Sequence, residues 1–97
     1  MTMKELVKYL SQWEIRTIAY GYGTLPYEAY KFYERVHTCM QLLKPEEMDI
    51  IDYMIIHHHT VKETYKDRGC LATNYRKRNR ALSKLLFLIE GRYNDKL

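Results

Sequence analysis

The chain has 97 residues, of which 46 % are hydrophobic and 29 % are charged, and its formal net charge is +4. This length suits one domain with a modest core, and the composition is that of a folded protein and excludes a disordered one. No stretch approaches the ~20 apolar residues of a membrane span, and Lys4, Glu5 and Lys8 interrupt the region where a signal peptide is apolar. A cytoplasmic protein with no membrane partner is expected, and the small size leaves a homodimer open.

The first predicted element is an amphipathic helix over roughly residues 2–20. Thr2 followed by Glu5 gives the capping-box pattern at its start. Its apolar residues recur at helical spacing and are expected on one inner face: Leu6, Tyr9, Leu10, Trp13 and Ile18. Two glycines and a proline within residues 21–26 then end the helix, because they remove helix propensity and one backbone donor.

A second helix is predicted from about Pro26 to Leu43, since proline is tolerated in a first turn. Its expected core face is Tyr30, Tyr33, Val36, Met40 and Leu43. Pro45 opens a third helix, whose acidic first turn suits the positive end of the helix dipole. This helix should bury Met48, Ile51, Met54 and Ile55 and continue to the histidine run at residues 57–59.

Residues 60–90 have the outline of a helix-turn-helix. Thr60 and Glu63 form a second capping-box pattern, and Gly69 stops the short helix that follows. A last helix is predicted from about Thr73 to Glu90, with Tyr75, Leu82, Leu85, Leu86 and Ile89 inside. Gly91 should end it. The expected fold is one all-α domain of five helices, divided into a core or interaction part (1–59), the helix-turn-helix (60–90) and a tail (91–97).

The net positive charge of the chain lies wholly in this helix-turn-helix. Residues 60–84 carry eight Lys or Arg against two acids, a net charge of +6, and no acid occurs in residues 68–89. A basic excess on one supersecondary unit is typical of a surface that binds a phosphate backbone. We predict contacts to double-stranded DNA from ten residues: Lys62, Lys66, Arg68, Thr73, Asn74, Arg76, Lys77, Arg78, Arg80 and Lys84. A solvated helix face that serves only solubility is the alternative.

Three short motifs in this half of the chain are similar to those of a known family. Residues 43–47 (LKPEE) open one helix, residues 60–63 (TVKE) open the next, and Gly69 and residues 80–85 (RALSKL) complete the motif. Residues 43–86 resemble region 4 of sigma factors and the small phage late-gene activators of the ArpU and RinA groups. The resemblance implies a phage transcription regulator that binds promoter DNA and contacts RNA polymerase. Its register leaves Thr73 and Asn74 as alternatives for the first base-reading residue.

A second hypothesis is a protein–protein module. Tyr20, Tyr22 and Tyr27 surround the glycine loop, and the first 59 residues are net acidic, so this part favours a protein partner over a nucleic acid. RNA binding by the basic helix is a third hypothesis. Gel shifts with duplex DNA at several salt concentrations, and with single-stranded and hairpin RNA, would distinguish these hypotheses from duplex DNA binding.

Metal, cofactor and catalytic sites are not predicted. The side chains of His57, His58 and His59 point ~100° apart on a helix and cannot converge on one ion. The two cysteines lack CxxC spacing and are expected as free thiols. No phosphate loop, HExxH motif or nucleophile elbow occurs, so a non-enzymatic protein without cofactors is expected.

Overall fold

A computed structural model describes residues 1–57 and 71–94 of the chain. Within these ranges it has five α-helices and no strand: α1 (Met3–Ser11), α2 (Trp13–Gly21), α3 (Tyr27–Met40), α4 (Pro45–Ile51) and α5 (Leu71–Asn94). A π-helical segment (Asp52–Ile56) continues α4. The all-α class predicted from the sequence is therefore confirmed. The predicted helix over 60–68, its Thr60 cap and the Gly69 turn lie outside the described residues.

The start of α1 is capped as the sequence predicted. The Glu5 backbone N–H donates to the Thr2 hydroxyl at 3.1 Å, and the Thr2 backbone N–H donates to the Glu5 carboxylate at 2.9 Å. The bond from the Thr2 backbone N–H, and then the Thr2 side chain, stabilise the charged carboxylate and so lower the pKa of Glu5. The cap thereby satisfies two backbone donors that a helix N-terminus leaves unpaired.

The single helix predicted over 2–20 is wrong, because the chain bends at Gln12 into α1 and α2. The bend allows two successive stackings against α3: Trp13 lies 4.4 Å from Tyr33 at their ring centroids, and Tyr20 lies 4.5 Å from the same ring. Aromatic contacts between helices thus override a local sequence that contains no helix breaker. One consequence is that Ile18, predicted on the inner face, is 60 % exposed.

The third predicted helix, which begins as α4, becomes π-helical in its second half. The His57 backbone N–H donates to the Asp52 carbonyl at 3.0 Å, a bond across five residues that defines a π turn. The wider turn allows three consecutive side chains, Met54, Ile55 and Ile56, to be buried together. An α-helix would point one of these three away from the core, since successive residues are ~100° apart.

One hydrophobic core joins the described helices. Helix α5 packs against α1, α3 and α4, and α1 also packs against the π segment. The residues that share this core are Leu6, Leu10, Trp13, Tyr33, Val36, Cys39, Met40, Leu43, Ile50, Ile51, Met54, Ile55, Ile56, Ala81, Leu82, Leu85 and Ile89. The helical spacing predicted most of these positions, and the Cys39 side chain is also buried.

Helix α5 does not end at Gly91, contrary to the sequence prediction. It continues through this glycine to Asn94. A glycine within a helix costs only about 1 kcal/mol relative to alanine, and a helix ends there chiefly when the residue adopts positive φ. In the described residues only Gly23 does so, at φ 68°, in the turn between α2 and α3.

Candidate nucleic-acid interface

Helix α5 is divided along its length into an anchored part and an exposed part. From Ala81 onward, the side chains of Ala81, Leu82, Leu85 and Ile89 are almost completely buried. From Tyr75 to Arg80, five of the six side chains are exposed, and Arg78 is partly exposed. The change occurs within one residue, so among the described side chains α5 contributes to the core only from Ala81 onward.

The exposed side chains of α5 between Tyr75 and Arg80 point in most directions around the helix, and Arg78 is the partly exposed exception. Tyr75 lies seven residues before Leu82 and therefore on the same helical stripe, which the sequence analysis predicted to face inward. That prediction for Tyr75 is wrong, because its side chain is 46 % exposed whereas that of Leu82 is fully buried. Residues 75–80 thus project beyond the core. We call these six residues the projecting segment.

Four of the predicted DNA-binding residues lie on the projecting segment. Arg76, Lys77 and Arg80 are exposed, and Arg78 donates from Nη1 to the Asn79 side-chain oxygen at 3.2 Å. Arg76 and Arg80 are four residues apart, so they share one face at a separation of ~6 Å along the axis. Lys77 lies beside that face. The segment contains no acidic residue, so its positive charges have no carboxylate on the same turns.

Lys84 has a different environment from the other basic residues of α5. Its Nζ donates to the Glu47 carboxylate at 2.9 Å, and the same carboxylate oxygen accepts the Lys44 backbone N–H at 2.9 Å. The backbone bond at the start of α4 is the main cause, and Lys84 the second, of the lowered pKa of Glu47. Lys84 therefore joins α5 to α4, and its ammonium group is paired with a carboxylate of the same chain.

The remaining predicted DNA contacts fall outside the side chains that the structure describes. Lys62, Lys66 and Arg68 lie outside the described residues. Thr73 and Asn74 lie within α5, but their side chains are outside the described part of the chain.

The three tyrosines predicted for a protein interface fall into two groups. Tyr20 is half-buried, stacks on Tyr30 at 5.1 Å and donates its hydroxyl to Glu34 at 3.2 Å. Hydrogen bonding with Tyr30, then burial and the Glu34 carboxylate, raise the pKa of Tyr20 to about 12. Tyr22 and Tyr27 are instead 80 % and 70 % exposed. Tyr20 holds α2 against α3, and the other two are available to solvent.

The histidine run begins at the end of the π segment. His57 Nδ1 lies 3.1 Å from a Glu14 carboxylate oxygen, and Nε2 lies 3.5 Å from one of Asp52. His58 and His59 are outside the described residues. Among residues that the structure describes, no three His, Cys, Asp or Glu side chains are placed to hold a metal ion. In the same part of the chain, no helix is long and apolar enough to cross a membrane.

The sequence reasoning missed two features of these surfaces. The contact between Glu47 and Lys84 joins residues 37 positions apart, and no local pattern indicates it. The second feature is that Ile15, Ile18 and Tyr22 are exposed. Their spacing of i, i+3 and i+7 is visible in the sequence and would have indicated that they share one helix face.

Comparisons with protein-family models, with curated proteins and with solved structures found no match.

Proposed function

We propose that this protein is a sequence-specific DNA-binding transcription regulator of the kind encoded by phages and mobile elements. The helix beginning near Thr73 would enter the major groove of double-stranded DNA. The observation that carries the proposal is the projecting segment. Its basic side chains are exposed, apart from the partly exposed Arg78, and it adjoins the part of α5 that is anchored in the core from Ala81 onward.

The dimensions of the projecting segment suit a major groove. The groove is about 12 Å wide, and an α-helix with its side chains is about 10–12 Å in diameter. The ~6 Å between Arg76 and Arg80 along the helix axis corresponds to roughly two base-pair steps of ~3.4 Å. Arginine addresses guanine through O6 and N7 at about 1–3 kcal/mol for each good bidentate contact. Arg76 and Arg80 are therefore proposed as base-reading residues.

The charge distribution supports different roles for the remaining basic residues. Lys77 and Arg78 adjoin the reading face and are proposed as phosphate contacts, which orient a protein without specifying sequence. Lys84 is already paired with Glu47, so its part in DNA binding is expected to be small. Lys62, Lys66 and Arg68 remain proposed phosphate contacts on the basis of the sequence.

Binding to a fluorescent duplex, measured by anisotropy over a range of salt concentrations, tests the proposal. Wild-type affinity should fall steeply as salt increases, because each phosphate contact releases counterions. The double variant Arg76→Ala and Arg80→Ala should lose sequence-specific binding, at about 1–3 kcal/mol for each base contact, and change the salt dependence little, because base contacts do not release phosphate counterions. Single-stranded DNA and hairpin RNA in the same assay test the RNA alternative.

A matched control removes the same charge from another surface. Lys4 and Lys8 are both exposed on α1, so Lys4→Ala with Lys8→Ala also lowers the net charge by two. This control should keep most of the affinity and the salt slope. Equal weakening by both double variants would show that only net charge matters, and unchanged binding by the Arg76 and Arg80 variant would refute the proposal.

A second candidate function is a protein–protein module, which the exposure of Tyr22 and Tyr27 favours. Under this alternative, the Tyr-rich loop and the acidic helix that begins at Pro45, which is α4 in the structure, would bind a host or phage protein. RNA polymerase is the partner that the resemblance to sigma region 4 suggests. Replacing Tyr22 and Tyr27 by Ser should then abolish partner capture without changing DNA affinity.

A further inference from the structure

Asn79 lies on the exposed face of α5, between the two arginines proposed to read DNA bases. Four exposed side chains are spaced at i, i+3, i+4 and i+7 and so share one face of the helix, namely Arg76, Asn79, Arg80 and Ser83. All four are polar and none is acidic. This face therefore offers two guanidinium groups, a carboxamide and a hydroxyl to a molecule that binds against it.

We propose that Asn79 is a specificity-determining residue that reads an adenine in the major groove. The inference rests on the proposed function, because it requires the projecting segment to enter the groove. Adenine presents an N6 donor and an N7 acceptor there, and an asparagine carboxamide matches both with one acceptor and one donor. Arginine has only donors and cannot make this pair. Asn79 thus adds an adenine to the guanines proposed for Arg76 and Arg80.

The contact with Arg78 orients the Asn79 carboxamide. Arg78 donates from Nη1 to Asn79 Oδ1 at 3.2 Å. A carbonyl oxygen has two lone pairs, so Oδ1 can also accept the adenine N6–H while Nδ2 donates to N7. Arg78 is ~100° further around the helix and only partly exposed, so it supports the carboxamide from the side and leaves the base to Asn79. A side chain that is already held loses less conformational freedom on binding.

The position of Asn79 on the helix indicates which strand it would read. Successive residues are ~100° apart, so Asn79 and Arg80 lie ~50° to either side of the line through Arg76 and Ser83. In a groove, side chains on the two sides of this line face bases of different strands. Asn79 and Arg80 differ by only ~1.5 Å along the axis, less than the ~3.4 Å between base pairs, and one pair contains only one purine. They would therefore address neighbouring pairs, with the adenine on one strand and the guanine on the other.

Asn79 contributes little to the fold itself. Its side chain is exposed, and the bond to the adjacent Arg78 joins no second helix. Asparagine is also among the weaker helix formers, since its carboxamide competes for backbone hydrogen bonds. Asn79→Ala should therefore leave the free energy of unfolding unchanged or slightly higher. A loss of DNA preference in this variant can then be attributed to the base contact.

Selection of binding sites from a pool of randomised duplexes, followed by sequencing, provides the first test. The wild-type protein should select a site that contains an adenine next to a C·G pair whose guanine is on the opposite strand. Asn79→Ala should lose the preference for that adenine, by about 5- to 150-fold, and keep the preference at the other positions. Gln41→Ala is the matched control, because it removes an exposed carboxamide from the end of α3 and should leave the selected site unchanged.

A modified base tests the contact at a single atom. 7-Deazaadenine keeps the N6 donor but lacks the N7 acceptor, so it should weaken wild-type binding to the selected site and leave the affinity of Asn79→Ala nearly unchanged. The same effect of the modified base on both proteins, or a selected site that Asn79→Ala leaves intact, would overturn the assignment of Asn79 while the proposed function stands. A wild-type protein that selects no sequence would overturn both.

Discussion

The contact between Lys84 and Glu47 leads to a prediction that separates a structural lysine from a DNA-binding one. Glu47→Gln removes the negative charge but keeps an oxygen that can accept the Lys44 backbone N–H, and Lys84→Met keeps most of the apolar stem. The Lys84 side chain is 38 % exposed and that of Glu47 is 19 % exposed, so solvent screens part of their attraction. We expect a coupling free energy of about 0.5–1 kcal/mol from a double-mutant cycle.

The assay is urea unfolding of the wild type, the two single variants and the double variant. Each single variant should lower the free energy of unfolding by about 1 kcal/mol, and the double variant by clearly less than the sum. A parallel cycle that replaces Glu47→Gln by Glu46→Gln, at the exposed neighbour, should give coupling near zero. Coupling near zero for the Glu47 pair as well would refute the structural role of Lys84. A large loss of DNA affinity with Lys84→Met would refute its minor role in binding.

Further predictions concern stability. Leu82→Ala should lower the free energy of unfolding by about 3–5 kcal/mol, because the side chain is fully buried, whereas Tyr75→Ala on the same stripe should cost less than about 1 kcal/mol in the same urea titrations. Gly91→Ala should raise the thermal midpoint by a few degrees, since the added methyl meets no atom within 4 Å in a helical position that glycine weakens by about 0.8–1 kcal/mol. A fall in the midpoint would contradict the continuation of α5 through residue 91. The lowered pKa of Glu47 contributes stability above its ordinary value of 4.5 and loses it as the pH falls through the folded-state pKa. The difference in unfolding free energy between wild type and Glu47→Gln should therefore shrink between pH 7 and pH 3, and a constant difference would argue against this origin.

Local patterns predicted the elements whose causes are local. The capping box at Thr2 and Glu5, the start of α4 at Pro45 and the buried stripe through Leu82 and Ile89 all follow from spacing over a few residues. Each depends on backbone donors or on a 3.6-residue period that the sequence displays directly. The predictions confirmed by the structure are of this kind.

The features that the sequence did not predict are the exposure of Tyr75 and Ile18 and the contact of Lys84 with Glu47. All of them depend on which other helix packs against the residue. A helical period identifies an apolar stripe but gives no information on where the core beneath that stripe ends. Tyr75 and Ile18 were therefore placed inside, although, among the described side chains, α5 contributes to the core only from Ala81 onward and α2 turns at Gln12 to stack on α3. The contact of Lys84 with Glu47 was hidden for the same reason, since it requires α4 and α5 to be packed first.

The division of α5 also allows the functional proposal to be tested separately from folding. Leu82 belongs to the anchored part and Arg80 to the projecting segment, although only Ala81 lies between them. If the projecting segment reads DNA, Arg80→Ala with Arg76→Ala should abolish sequence-specific binding at unchanged stability, because neither side chain is buried. Leu82→Ala should have the opposite effect, with reduced stability but normal affinity for the fraction that remains folded. If binding and stability instead fell together in both sets of variants, the projecting segment would contribute to the stability of the fold. Its exposed basic side chains could then not be assigned to DNA binding alone.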